Sequence, residues 1–169
     1  MLRRRSLLGL LPVAVAAPLA GCGFHLRQPP NFAFKSIYVN GNANSTFVAE
    51  LRRNLGAGTG LVVVRELAER DTSDVVLDIL QDQRERVVLG YNSSGQVREF
   101  QLRVRIRFAL HTPDGREILP STELLLQQDQ SYDETLALAK EQEAQLIYRS
   151  LQTDVVRQIL RRLAAVKQI

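Results

Sequence analysis

With one Cys, two His and no Trp in 169 residues, the chain has few side chains that could do chemistry. Cys22 is a potential nucleophile or metal ligand, but it has no second cysteine to pair with, so no disulfide forms within the chain. His25 and His111 lie far apart in sequence, without metal-motif spacing, and read as solvated or packed side chains. Glu141 and Glu143, two apart in a helical segment, diverge and cannot act as paired carboxylates. There is no glycine-rich phosphate loop and no Gly-x-Ser-x-Gly elbow. The absence of these motifs does not exclude an enzyme but lowers the expectation of one, and no metal and no cofactor are expected. One cationic pattern remains. Arg103, Arg105 and Arg107 alternate with apolar residues and so project from one face of one strand, about 6.6–6.8 Å apart. Such a row of guanidinium forks could contact phosphates or an acidic surface. It could equally be a solvated strand face paired with Asp78, Asp82 or Glu85, which would guard the sheet against edge aggregation.

Cys22 gains meaning from what precedes it. Arg3, Arg4 and Arg5 stand ahead of an apolar, uncharged run over residues 7–19, too short for the ~20 residues of a bilayer-spanning helix. A basic start, an apolar stretch and small residues after it are the parts of a secretory signal peptide. Leu19-Ala20-Gly21-Cys22 resembles the lipobox of bacterial lipoproteins, in which the cysteine becomes the first mature residue and its sulfur is acylated. The alternative, a buried free thiol, would place the only cysteine at the cleavage position by coincidence. Anchorage by more than one acyl chain is effectively stable, at ~0.8 kcal/mol per buried methylene. By analogy, Gly23 in place of Asp after the cysteine fits sorting to the outer membrane. Arg4-Arg5-Ser6-Leu7-Leu8 also resembles a loose twin-arginine signal, and the export route stays open.

Residues 1–21 hold three of the 22 basic side chains and no acidic one, so the formal +4 falls to about +1. Bulk charge then gives no reason to expect nucleic acid as a partner. The chain divides into a lipoprotein signal peptide (residues 1–21), a lipid-linked tether (22–30) and a single domain (31–169). Pro29 and Pro30 disfavour helix and keep the tether extended.

Positioning elements follow from periodicity. Ile37 and Val39 share one side of a strand that ends at Asn40-Gly41-Asn42. Asn44 or Ser45 can cap a helix in which Phe47, Val48, Leu51 and Leu55 recur at helical spacing, and Gly56 or Gly58 can end it. Residues 61–65 are a strand end or extended connector, and residues 68–73 are turn-like. Val75, Leu77 and Ile79 open a long strand that continues through Val87 and Val88 to a turn over residues 90–95. Phe100, Leu102, Val104, Ile106, Phe108 and Leu110 alternate with polar residues, the clearest strand in the chain. After a turn at residues 111–116, a further strand includes residues 124–130. Ser131 and Glu134 read as a capping box for a last helix with Ala144, Tyr148, Leu151, Val155, Ile159 and Leu163 on its apolar stripe. The fold class expected is α+β, a two-layer sandwich with a mixed sheet of about four strands packed on two helices.

Four ordered segments resemble one family. Cys22-Gly23-Phe24-His25-Leu26-Arg27, the strand ending Val87-Val88-Leu89, Gly95-Gln96-Val97-Arg98-Glu99-Phe100 and Leu136-Ala137-Leu138-Ala139-Lys140-Glu141-Gln142-Glu143 are similar to the lipopolysaccharide-assembly lipoproteins of the LptE family. The resemblance spans essentially the whole mature chain. It implies a protein that is not an enzyme: an outer-membrane lipoprotein on the periplasmic face, plugging and helping to assemble the β-barrel LptD, and binding lipopolysaccharide during insertion into the outer leaflet.

The resemblance also assigns Lys140 to lipopolysaccharide binding. Its charge suits a lipid A phosphate, and an i,i+3 surface pair with Glu143 is the structural alternative. The family's basic residue at the tip of the loop before Gly95-Gln96-Val97-Arg98-Glu99 has no counterpart here: Tyr91, Asn92, Ser93 and Ser94 include no Lys or Arg, and Arg98 does not match that position. Tyr91, Asn92 and Ser93 are candidates for contacting barrel or lipid, with Tyr91 either inserting among acyl chains or remaining an ordinary turn tyrosine. Arg103, Arg105 and Arg107 are candidates for lipopolysaccharide or for the barrel's acidic inner wall. A different class of function, a periplasmic lipid carrier or transport accessory without a barrel, would require a closed apolar cavity of roughly 300–1,000 Å³.

Overall fold

The computed structural model describes residues 30–57 and 60–169. The signal segment, Cys22, His25 and all of the tether but Pro30 lie outside the described residues. Five strands form one mixed sheet: β1 (Ser36–Asn40), β2 (Val62–Val64), β3 (Val75–Tyr91), β4 (Val97–His111) and β5 (Glu117–Ser131), in the order β2-β1-β3-β4-β5. β1 runs parallel to both β2 and β3, while β3, β4 and β5 form an antiparallel meander. Two helices, α1 (Thr46–Gly56) and α2 (Ala137–Ala164), pack on one face. The two-layer α+β architecture is as expected. The sheet has five strands rather than about four because the β-branched run after Gly60 pairs with β1 as a three-residue edge strand.

β4 is the spine of the sheet. Leu102, Val104, Ile106, Phe108 and Leu110 all face the helices with exposures of at most 2%. Against them pack Phe47, Val48, Leu51 and Leu55 of α1, and Ala144, Tyr148, Leu151, Val155, Ile159 and Leu163 of α2, the two predicted stripes. A small second cluster, Tyr38, Val64 and Val76, covers the other side of the sheet at its β2 end. Ser45 caps α1 by accepting from the Val48 amide at 3.1 Å, and its hydroxyl donates to Asp82 of β3. Gly41 is required by close approach, since a Cβ there would stand 2.9 Å from the Val48 side chain.

Two boundaries differ from the sequence reading. Ser131 is the last residue of β5, where Glu99↔Ser131 pairing claims its backbone, so no capping box forms. Asp133 instead caps a short 3-10 turn (Glu134–Leu136) that leads into α2. β3 also runs through Gly90 to Tyr91, leaving a turn over residues 92–96 in which Gly95 takes φ +79°.

The register of β3 contains an extra residue. Ile79 pairs with Phe108 and Gln81 with Arg107, so Leu80 is bulged out, 55% exposed. Before the bulge Val75, Leu77 and Ile79 face the helices. Beyond it the parity reverses: Asp82, Arg84, Arg86 and Val88 lie opposite Ile106, Val104, Leu102 and Phe100, while Gln81, Gln83 and Glu85 take the open face. Polar side chains under the helices must then be satisfied. Arg84 donates to Gln152 Oε1 at 2.6 Å and lies 5.6 Å from the Tyr148 ring centroid, and Gln152 donates to Glu50 Oε2 at 2.6 Å. Thr153 donates to the other Glu50 oxygen, which ties α2 to α1.

Because the bulged residue is surplus to the ladder, deleting Leu80 should preserve both faces rather than reverse them. The variant is expected to fold with the Arg105–Glu85 and Arg84–Gln152 contacts intact, at far smaller cost than Phe108→Ala, for which about 3–5 kcal/mol is expected. Urea unfolding and cross-strand NMR contacts read this out. An unfolded ΔLeu80 chain, or reversed contacts, would show the register to be wrong.

Candidate functional site

The sheet face away from the helices holds the arginine row. Arg105 is clamped between two carboxylates, with Nε 3.0 Å from Glu85 Oε1 and Nη1 2.6 Å from Glu123 Oε1. The hydrogen bond it donates to Glu85 is the largest cause holding its pKa above even the usual arginine value. Arg107 donates to Gln81 Oε1 at 2.8 Å and lies 3.6 Å from Glu123 Oε2. Arg103 donates to Gln101, which donates to Asp129. Three arginines thus share their face with three carboxylates, Glu85, Glu123 and Asp129, and the row forms a charge-matched polar surface. Glu85 is the neighbour the sequence named. Asp82 is not, because the bulge carries it to the helix side, and Asp78 is taken up by Asn40 and His111, 2.8 and 2.9 Å away. His111 is a packed residue whose other ring nitrogen lies 2.7 Å from Thr112 O.

Lys140, Tyr91, Asn92 and Ser93 come together at the far end of the meander, here called the tip. β1 and β3 start at the opposite end, and the 17 residues of β3 extend the sheet by about 55 Å. At the tip, the β3–β4 turn meets the β5–α2 connection. The Tyr132 amide donates to Arg98 O at 2.7 Å, Gln96 Nε2 donates to Glu134 at 3.1 Å, and an open cleft of about 270 Å³ between them includes Arg98 and Asp133 in its lining. Asn92 is structural: its side-chain oxygen accepts from the amides of Ser94 and Gln96 and fixes the turn. Tyr91 is 65% exposed.

Lys140 donates to Glu143 Oε2 at 2.9 Å and Ser131 Oγ at 3.2 Å, so the i,i+3 pair forms. Two cations that sequence reasoning did not assign stand nearby. Arg86 pairs with Glu141 at 2.8 Å and lies over Phe100, and Arg98 acts on the Asp133 carboxyl together with Lys140. Their convergence has no local signal, since it depends on the β3 parity reversal and on the crossing of two loops. Around these charges Leu89, Leu136 and Leu138 are exposed, Leu138 to 78%. A surface of cations among exposed apolar side chains suits an anionic amphiphile, whose phosphates and acyl chains need both. The space between sheet and helices, by contrast, is filled by Phe47, Phe108, Leu51 and Leu110, each at most 1% exposed.

Three tip carboxyls are held below their ordinary range: Glu141 first by the Arg86 hydrogen bond, Glu143 by Lys140, and Asp133 by the Thr135 hydroxyl. A depressed folded pKa contributes stability that is present above the unfolded value and lost as pH falls through the folded one. Amide protection factors in residues 131–141 should therefore fall between about pH 5 and pH 2, while those of Val104 and Ile106 persist. Protection at the tip that is unchanged down to pH 2 would show that these pairs do not hold it.

The sequence matches a family model described as LptE, lipopolysaccharide-assembly, over residues 34–163. A solution NMR structure of an uncharacterized lipoprotein B from Nitrosomonas europaea is similar, with TM-score 0.71 and 32% identity, covering 85% of this chain and 91% of that one. The rare lipoprotein B of Shewanella oneidensis shares the fold at TM-score 0.64 and 22% identity, covering 77% of this chain and 94% of that one. A minor lipoprotein of Acinetobacter baumannii does so at TM-score 0.62 and 19% identity, over 78% and 92%. A match over most of the domain, together with this sheet and helix arrangement, shows that the chain belongs to the LptE family of lipopolysaccharide-assembly proteins.

Proposed function

We propose that the protein is an outer-membrane lipoprotein, acylated at Cys22 after removal of residues 1–21 and facing the periplasm, that plugs the LptD β-barrel and contacts lipopolysaccharide through its tip. The observation that carries the lipopolysaccharide reading is the placement of Lys140, Arg98 and Arg86 beside exposed Leu136, Leu138 and Tyr91. Lys140 serves lipid A phosphate by exchanging its Glu143 partner for a stronger acceptor. A surface i,i+3 pair is worth only ~0.2–0.5 kcal/mol, so the exchange costs little. The charge-matched face of Arg103, Arg105 and Arg107 suits the polar lumen of a barrel better than a phosphate cradle, because its guanidiniums already hold Glu85 and Glu123. Tyr91 and Ser93 would touch barrel or lipid, with Asn92 shaping the turn beneath them.

A lipid carrier acting without a barrel is less well supported. It needs an enclosed apolar cavity, and the interior between the layers is packed with side chains.

Detergent extraction should co-purify the protein with a large β-barrel, and a monomer free of any barrel would remove the partner claim. In a pull-down on immobilised lipopolysaccharide, Lys140→Glu is expected to weaken binding about tenfold, roughly 1.4 kcal/mol, with the fold retained. Unchanged retention would sink the assignment of Lys140.

A further inference from the structure

At the end of the sheet opposite the tip, α1 lies across β1 and the edge strand β2. The groove between helix and edge strand, about 340 Å³, is lined by Ala49, Arg52, Arg53 and Arg65, and an adjoining depression of about 430 Å³ extends it past Gly56 and Val63. Three guanidiniums line this surface, and among the described residues no carboxylate does. Local structure explains the convergence. Arg52 and Arg53 follow Val48 and Ala49 by one helical turn, at the margin of the buried stripe, and Arg65 lies two residues beyond Val63 on the same side of extended backbone.

The three arginines are not held alike. Arg52 donates through Nη2 to Val39 O at 2.7 Å, just past the last β1–β2 pair, Tyr38↔Val64. That bond fixes the guanidinium in place, while its Nε is buried with no acceptor. Arg53 and Arg65 are exposed and have no hydrogen-bond or ion-pair partner among the described residues. Elsewhere on the sheet Arg84, Arg86, Arg103, Arg105 and Arg107 each spend donors on an acid or an amide. Glu50, on the same helix, is engaged by Gln152 and Thr153. The C-terminal end of α1 opposes an anion with about half an elementary charge, which three full positive charges outweigh.

We propose that this α1–β2 groove is an anion site that takes a phosphate group, with Arg52 as the fixed donor and Arg53 and Arg65 closing on the remaining oxygens. Arginine's planar fork matches phosphate geometry in pairs of hydrogen bonds, and three converging forks leave room for a mono- or diester oxygen facing solvent. The phosphate could be free or part of a lipid headgroup. The second source is within reach if Cys22 is acylated, because β1 begins at this end and the nine residues 22–30 span at most about 30 Å.

The test uses the full-length lipidated protein in neutral maltoside micelles, observed through the ¹⁵N side-chain signals of its arginines. One titration adds inorganic phosphate at constant ionic strength, and a second adds phosphatidylglycerol to the micelles. Saturable shifts at Arg52, Arg53 or Arg65 in the first, reduced at least tenfold in affinity by Arg53→Gln/Arg65→Gln, would establish a site for free phosphate. Shifts only in the second, lost in the same variant, would assign the site to a headgroup. Both substituted side chains are exposed, so the variant's amide spectrum should match the parent's. Should the pair not fold, Arg65→Gln alone is read the same way. No shift in either titration, or shifts that the substitutions leave unchanged, would overturn the proposal.

Discussion

The bulge at Leu80 sets the chemistry of both faces of the sheet. A strand has a side-chain period of two, so one extra residue exchanges the faces of everything after it. Here it falls just after Asp78, the last β3 residue paired with β1, where a five-strand sheet narrows to a three-strand meander. On the near side, Val75, Leu77 and Ile79 fill the core beneath the helices. On the far side, that position is taken by Asp82, Arg84 and Arg86, while Gln81, Gln83 and Glu85 turn to the open face.

Each face then resolves its charges differently. Under the helices, Asp82 accepts from the hydroxyl that caps α1, Arg84 feeds the Gln152–Glu50 bridge between α1 and α2, and Arg86 reaches Glu141 in the first turn of α2. These bonds join the long helix to the sheet beside the apolar stripe, and leaving one partner buried and unmatched would be unfavourable. On the open face, Glu85 and Glu123 grip Arg105 and leave a flat, polar, nearly neutral surface. Two groups of cations stand at opposite ends of the sheet: Lys140, Arg86 and Arg98 at the tip, and Arg52, Arg53 and Arg65 in the α1–β2 groove. Val39, which holds Arg52, pairs with Leu77, nine residues of β3 away from Arg86, so the two groups stand about 30 Å apart along the strand.

Much of the fold was legible because it rests on short-range periodicity. The alternation of Phe100 through Leu110, the stripe from Phe47 to Leu55 and the stripe from Ala144 to Leu163 each identify an element and its buried side without reference to anything distant. The Ser131 capping box failed for the same reason in reverse. The motif is local, but pairing of Ser131 with Glu99 across the sheet outweighed it and moved the helix start to Ala137. Asp82 was assigned to the wrong face because a bulge carries no dependable residue signature; Leu80 looks like any strand residue.

By itself, the sequence determined the family, the two-layer class and the core stripes. These depend on residue type and spacing within a few turns of chain. Only the tertiary structure decided that the arginine row is already neutralised, that Arg98 and Arg86 join Lys140 at one end, and that Arg65 meets Arg52 and Arg53 at the other. The physical reason is that charge pairing acts over a few ångströms between residues tens of positions apart. Which charges meet is therefore set by register, bulge and crossover, which no local pattern encodes.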